Sequence, residues 1–307
     1  MHWRTPCSPK LKKSQDANLQ LFSIESNLNS HKYGTMKNTL LLFLLWMATP
    51  VISQVKFTSS IQNKGKFFLY WGWNRGYYSD SDITFKGADY DFTLKDVKAA
   101  DRPTPFTVKD YFHPGHLSTP QTNYRIGYFF KENYTISLGV DHMKYVVAQN
   151  QNVPFEGHID EAYGMDLGSS VDLTAEFLKF EHTDGLNYIS LEISRFDAIG
   201  AFFGLDKENF QIHATEGIGL GVMLPRTNST LLSKERYDAF HLSGFGLSAR
   251  AGIDFTFYKY FFVMTELKTG YIYMPDIRTT QSASDSARQS FGYLEPTLVI
   301  GGRFSIF

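Results

Sequence analysis

Cysteine is nearly absent from this 307-residue chain: Cys7 is the only one. The chain downstream of it therefore has no disulfide framework, no thiol nucleophile and no cysteine metal site. Charge of one sign is lacking too, since the formal net charge is −1, and no basic stripe points to nucleic acid. A Gly-rich phosphate cradle is missing, because the "GIGLGV" of Gly217–Val222 reads as a strand with its glycines on one face. Long apolar runs are missing as well, apart from one stretch near the start, so spanning helices of about 20 residues are not expected.

That one stretch, "MKNTLLLFLLWMATPVISQ" from Met36 to Gln54, has the layout of a secretory signal: Lys37, then Leu40 to Met47, then Val51-Ile52-Ser53 before Gln54. Residues 36–53 are expected to be a signal peptide, with Met36 the true start. Residues 1–35 read as a disordered or non-native leader without an apolar period. The expected mature domain is 54–307.

Aromatic residues, at 16% of the chain, are abundant instead. They occur among segments of two-residue alternation, the period of strands with one apolar face. In "GFGLSARAGIDFTF" one face carries Phe245, Leu247, Ala249, Ala251, Ile253, Phe255 and Phe257, and the other Gly244, Gly246, Ser248, Arg250, Gly252, Asp254 and Thr256. "NYTISLGVD", "YRIGYF", "ISLEIS" and "VMTELKTGY" repeat the pattern. A small, charged face opposite an apolar one is the order of a transmembrane β-barrel, with lipid outside and a polar lumen. A soluble sandwich would need apolar side chains on its inner face. Aromatics near strand ends (Trp71, Trp73, Tyr77, Tyr78; Tyr128 to Phe130; Phe257, Tyr258, Tyr260, Phe261) suit the girdles at the two interfaces.

Three connections are short, at Lys131–Asn133, Asp206–Asn209 and Tyr258–Tyr260, and are assigned to the periplasm. The expected fold is all-β, an antiparallel up-and-down transmembrane β-barrel of eight strands, at about 66–78, 121–131, 133–148, 186–200, 209–224, 242–257, 260–274 and 290–307. Long extracellular loops then fall at about 79–120, 149–185, 225–241 and 275–289. A ten-stranded alternative would add 82–94 and 172–180, which the eight-strand count places as hairpin or helical structure in the outer loops. The terminal Phe307 sits on the last strand, as in outer-membrane barrels, although Arg303 and Ser305 share its face.

Eight strands enclose a lumen that side chains just fill. Arg125, Asp141, Glu192, Arg250, Asp254, Glu266 and Lys268 are expected to point inward, and in a low-dielectric lumen they must pair. A paired plug rather than an ion path is the expectation. Function then moves to the outer loops. His113, His116, Asp141, His142, His158, Asp160, Glu161, His182 and Asp184 gather there, with "DSD" at Asp80–Asp82. The pairs His113/His116 and His158/Asp160 have ligand-like spacing, but neither carries a metal expectation, and no cofactor is expected.

"KFEHTDGLNY", Lys179 to Tyr188, has two readings. One is an Asp184-Gly185 turn with His182 merely hydrogen-bonded at the interface. The other is catalytic, because the stretch resembles the active-site strand of outer-membrane lipid A 3-O-deacylases, eight-stranded barrels with a His-x-Ser pair near the outer rim and an acid further on. The resemblance implies His182 as general base and Glu192 as the orienting acid. Asp184 stands where that family has its serine, Thr183 points the other way, and Ser190 and Ser118 are the other candidate hydroxyls. The chain also resembles uncharacterised outer-membrane β-barrel proteins.

Two functions are expected of such a chain. The first is an outer-membrane barrel with a filled lumen, presenting large loops for structural, adhesive or ligand-binding work. The alternative is an outer-leaflet lipid-modifying hydrolase using His182, Asp184 and Glu192. Expected partners are outer-membrane lipid and lipopolysaccharide and an extracellular ligand, with no nucleic acid.

Overall fold

The structure, a computed structural model, describes residues 62–112, 120–164, 168–205, 207–234 and 237–306. The expected leader and signal peptide, together with His113, His116, Ser118 and Phe307, lie outside the described residues.

In chain order the elements are β1 (Phe67–Asn74), β2 (Tyr77–Tyr78), β3 (Ser81–Lys86), β4 (Tyr90–Val97), β5 (Ala99–Ala100), a single helical turn α1 (Val108–Phe112), β6 (Thr122–Lys131), β7 (Tyr134–Val147), β8 (Asn152–Ile159) and β9 (Ser170–Asp172). They continue with β10 (Leu178–Ala198), β11 (Phe210–Met223), β12 (Asn228–Leu231), β13 (Gly244–Phe257), β14 (Phe261–Arg278) and β15 (Ser286–Phe304). Every strand pairing among the described residues is antiparallel.

The long strands pair in the order β1, β6, β7, β10, β11, β13, β14, β15, and β15 pairs back with β1 through Phe67↔Phe304 to Asn74↔Thr297. This ring of pairings gives each of the eight long strands a hydrogen-bonded neighbour on both sides. The alternation read from "GFGLSARAGIDFTF" appears directly: Phe245 and Leu247 of β13 are exposed, while Ser248, Arg250, Asp254 and Thr256 are buried. On β11, Ile218 and Leu220 leave 70% and 63% of their surface uncovered, and Leu247 beside them leaves 60%. Soluble monomers rarely expose contiguous apolar area of that kind.

Small residues let the inner face pack. A Cβ on Gly139 would come 2.7 Å from the Arg125 guanidinium, and one on Gly127 would come 2.2 Å from the Phe68 ring. The glycines thus leave room for a few large inward side chains.

Beyond the ring, several strands run on into a lobe. β10 continues back to Leu178 and carries β12, while the end of β14 and the start of β15 carry the β3–β4 hairpin, which is extended by β8 and β9. The segment 82–94 is therefore a hairpin outside the ring. The stretches expected as loops at 149–185, 225–241 and 275–289 are in part regular strand, because their apolar residues build a second core. Ile83, Phe85, Phe92, Leu94, Tyr145, Phe180, Leu186 and Phe291 pack in it, each 1% exposed or less. Alternation there is apolar-inward, the reverse of the ring.

The expected Asp184-Gly185 turn is corrected by the strand itself. "KFEHTDGLNY" lies within one continuous strand, interrupted by a bulge at which the pairing with β7 jumps from His182↔Tyr145 to Leu186↔Met143. Gly185 sits at φ +125°, a conformation suited to glycine, and this absorbs the extra residues without reversing the chain.

Candidate functional site

The interior of the ring is layered. At its centre Lys268 reaches Asp141 at 2.5 Å and Glu192 at 3.0 Å. Arg125 pairs with Glu192 and lies 3.5 Å from Asp141, while Arg250 places Nε 2.9 Å from Glu192 and pairs with Glu266. Asn123 donates to Asp141 at 2.8 Å and to Glu295 at 2.9 Å, and Arg250 Nη2 donates to Ser194 at 2.7 Å. These side chains come from β6, β7, β10, β13, β14 and β15, so the network ties together most of the ring. Each charged side chain in it is 5% exposed or less.

Below this layer, toward the short turns, Arg303 bonds Asp254 and Thr256 at 2.7 Å each, and its guanidinium lies over the rings of Phe129, Phe196 and Phe262. His213 Nδ1 stands 3.3 Å from Asp254. The cavity among these groups holds only about 30 Å³, room for about one water. Above the charged layer begins the apolar core of the lobe. The inward set read from sequence is all buried here, and the structure adds Glu295 and Arg303. Glu295 is hidden in sequence by Pro296, which breaks the alternation, and Arg303 by a strand phase set from Phe307.

The three residues expected to form a hydrolytic site are not brought together. His182 is buried in the lobe core, between the Phe180 and Tyr145 rings at 5.1 and 5.7 Å. Its Nδ1 lies 3.0 Å from the Thr227 hydroxyl, which is itself buried, and its Nε2 has no hydrogen-bond partner among the described residues. Burial pushes the imidazole down to about 3, so it stays neutral. Asp184 is half exposed on the bulge, 3.5 Å from Arg226. Glu192 belongs to the central ion network, and Ser190, at 3.3 Å from it, is buried in the same layer. The Thr227 partner lies 45 residues along the chain, on the β11–β12 connection, and no local pattern around His182 signals it.

The other candidates scatter. Asp141 is in the ion network, and His142 Nδ1 bonds Asn187 at 2.8 Å. His158 is exposed on β8, and Asp160 caps the turn at Glu161–Tyr163. Asp82 pairs with Lys95 at 3.0 Å. Among the described residues, no three His, Cys, Asp or Glu side chains converge as metal ligands.

The lobe carries its own polar fastenings. Glu181 receives Arg102 at 2.9 Å and Asn228 at 2.6 Å, joining the 101–112 segment and β12 to β10. Lys234 spans Asp89 at 2.7 Å and Asp285 at 3.5 Å, and Tyr163 also bonds Asp89. Hydrogen bonds from Lys234 and then Tyr163 hold the Asp89 carboxyl below its usual range.

No family model matches the chain, and no curated protein does. Among solved structures it is similar to the outer membrane protein OprG of Pseudomonas aeruginosa, at 12% identity and TM-score 0.35, covering 81% of this chain and 100% of that one. Neisserial surface protein A is similar at 9% identity and TM-score 0.34, covering 78% and 100%. Ail, the attachment invasion locus protein of Yersinia pestis, is similar at 10% identity and TM-score 0.28, covering 78% and 99%.

Proposed function

We propose that the chain is an outer-membrane protein whose eight long strands form a transmembrane barrel with a filled lumen, presenting an extracellular lobe for structural, adhesive or ligand-binding work. The observation that carries this reading is the pair of closed layers inside one ring of strands, the Arg303 layer and the central ion network, with the apolar core of the lobe stacked above them. A passage for solute would have to break both layers and the core above them. The exposed apolar band around the ring supplies the lipid-facing surface, and the short turns opposite the lobe set the orientation, lobe outward.

Outer-membrane lipid and lipopolysaccharide are the proposed surroundings of the barrel, and an extracellular ligand the proposed partner of the lobe. The strongest chemical feature of the lobe is its rigidity. Its strands are hydrogen-bonded onto extensions of the barrel strands, so it is a fixed platform rather than a set of mobile loops. The hydrolase alternative has little support: His182 is sealed from lipid and lacks the acid partner that a general base needs.

The test is conductance in a planar bilayer. The refolded full-length protein is expected to leave the bilayer electrically silent, and steady ion conductance would overturn the filled-lumen reading.

A further inference from the structure

Residues 104–112 follow β5 and pack outside the core of the lobe. Their root is tied down: the Gly76 amide donates to Asp101 at 3.0 Å, Arg102 reaches Glu181 at 2.9 Å, and the Lys144 ammonium donates to the Thr104 hydroxyl at 3.1 Å. From there the segment crosses to the outside of the ring. The Tyr111 ring of α1 is 4% exposed and lies 6.1 Å from the Trp73 ring. Trp73 is on the outer face of β1, since the inward residues of that strand are Phe68, Tyr70, Gly72 and Asn74. The Thr107 hydroxyl accepts from the Asp110 amide at 3.0 Å, and the Tyr111 hydroxyl donates to the Thr104 carbonyl at 2.7 Å. These bonds fix the shape of the segment while leaving Phe106 and Val108 69% and 71% exposed.

The contact falls in the outer half of the apolar band. Phe67, in the same strand, stands at the short-turn end in an aromatic group with Tyr128 and Phe304, at 4.9 and 6.2 Å. Trp73 is six positions higher, which is about 20 Å along the strand and about 15 Å in height at the usual tilt, in a band about 25 Å tall. Between the segment and the wall lies a recess of about 490 Å³, open sideways, with Phe106 and Tyr111 on one side and Trp73, Pro296 and Leu298 on the other. Its two sides come from separate parts of the chain, one of them outside the sheet. Arg75 lines the recess two residues above Trp73, and among the described residues no carboxylate pairs with it; its Nη1 donates to the Asn74 carbonyl at 2.9 Å. Arg102 and Lys144 stand close by, because the bond from Gly76 to Asp101 joins the chain neighbours of Arg75 and Arg102, and Lys144 holds Thr104.

We propose that this recess holds an acyl chain of a lipopolysaccharide of the outer leaflet, with residues 104–112 as a strap over it and a sugar-bound phosphate of the lipid on Arg75. The recess is continuous with the lipid-facing band, since Leu298 is 49% exposed on the ring itself, so acyl chains reach it from the side. The charge is complementary, because the fork of an unpaired guanidinium matches two oxygens of a phosphate. The leaflet follows from the height of Trp73 and from the orientation with the lobe outward. The site therefore rests on the transmembrane reading above.

The experiment places the full-length Cys7→Ser chain in phosphatidylcholine vesicles, with a nitroxide at Val108→Cys on the strap or at Leu220→Cys on the ring as a reference. Collision of each label with oxygen, which concentrates in lipid, is read against collision with a water-soluble nickel chelate. Both labels are expected to favour oxygen. Titration with a rough lipopolysaccharide should slow the motion of the Val108 label. Arg75→Gln should raise the concentration for half of that effect about three- to fivefold, the scale of a half-exposed ion pair, and Arg75→Lys should raise it less. A Val108 label that favours nickel beside a Leu220 label that favours oxygen would overturn the site alone, whereas nickel at both would overturn the barrel. An equal response to phosphatidylglycerol would overturn the lipopolysaccharide assignment, as would a response that Arg75→Gln leaves unchanged.

Discussion

Glu192→Gln is the sharpest perturbation of the central ion network. Glu192 faces three cations, Arg125, Arg250 and Lys268, more than any other carboxylate in the layer. Breaking one partner of a buried ion pair typically costs about 3–5 kcal/mol, because the remaining charge stays desolvated. Here each cation keeps a second carboxylate: Asp141 for Lys268 and Arg125, and Glu266 for Arg250. The loss is therefore set at the lower end, about 3 kcal/mol. Lys268→Met should cost a similar amount, since Asp141 then keeps only Arg125 at 3.5 Å and Asn123 at 2.8 Å. Because the two residues touch, the double variant should fall short of additivity by about 1–3 kcal/mol. Urea titration of the protein in lipid vesicles, followed by tryptophan emission and gel migration, measures each value. A Glu192→Gln loss below about 1 kcal/mol, or strict additivity with Lys268→Met, would refute the network as the element that fixes the strands.

Further expectations follow from single contacts. His182 is neutral when folded, with its pKa lowered to about 3, against about 6.5 when unfolded. Between those values the unfolded chain binds a proton that the folded one refuses, so stability should fall on acidification, by about 2 kcal/mol between pH 6.5 and 5. His182→Phe should flatten that slope in acid-unfolding curves, and an unchanged slope would contradict the buried neutral imidazole. Gly139→Val pushes a side chain against the Arg125 guanidinium and should cost about 1–3 kcal/mol in the same urea assay, with no loss marking a looser lumen than described. Lys234→Met removes the bridge between Asp89 and Asp285, so protease should cut near the β3–β4 hairpin faster while the ring of long strands stays resistant. Equal cutting would show that the bridge does not fasten the lobe.

The ring was legible in sequence wherever alternation was clean. The expected 242–257 and 133–148 match β13 (Gly244–Phe257) and β7 (Tyr134–Val147) to within two residues at each end. The glycines of "GIGLGV" do lie on the inner face, opposite the exposed Ile218, Leu220 and Val222. The lobe was not legible, because its strands invert the rule used to find the others: Phe85, Phe92 and Phe180 point inward into an apolar core, and only long-range pairing reveals their partners. The turn expected at Asp184-Gly185 does not form, for a related reason. Asp184-Gly185 carries the chemistry of a hairpin turn, but pairing with β7 resumes at Leu186 after His182, so the strand runs on and the dipeptide is absorbed as a bulge. His182, Asp184 and Glu192 do not face one another: the bulge turns Asp184 outward, while His182 and Glu192 point into different interior layers.

The central claim, a barrel with its lobe outside the cell and its short turns in the periplasm, is tested most directly by thiol labelling in intact cells. Cys7 is the only native cysteine, so a Cys7→Ser chain accepts single reporters at Glu161 in the lobe and at Glu208 in the short turn before β11. A membrane-impermeant maleimide is predicted to label Glu161→Cys in intact cells, and Glu208→Cys only after the outer membrane is opened. Labelling of Glu208→Cys in intact cells, with Glu161→Cys protected until lysis, would contradict the account.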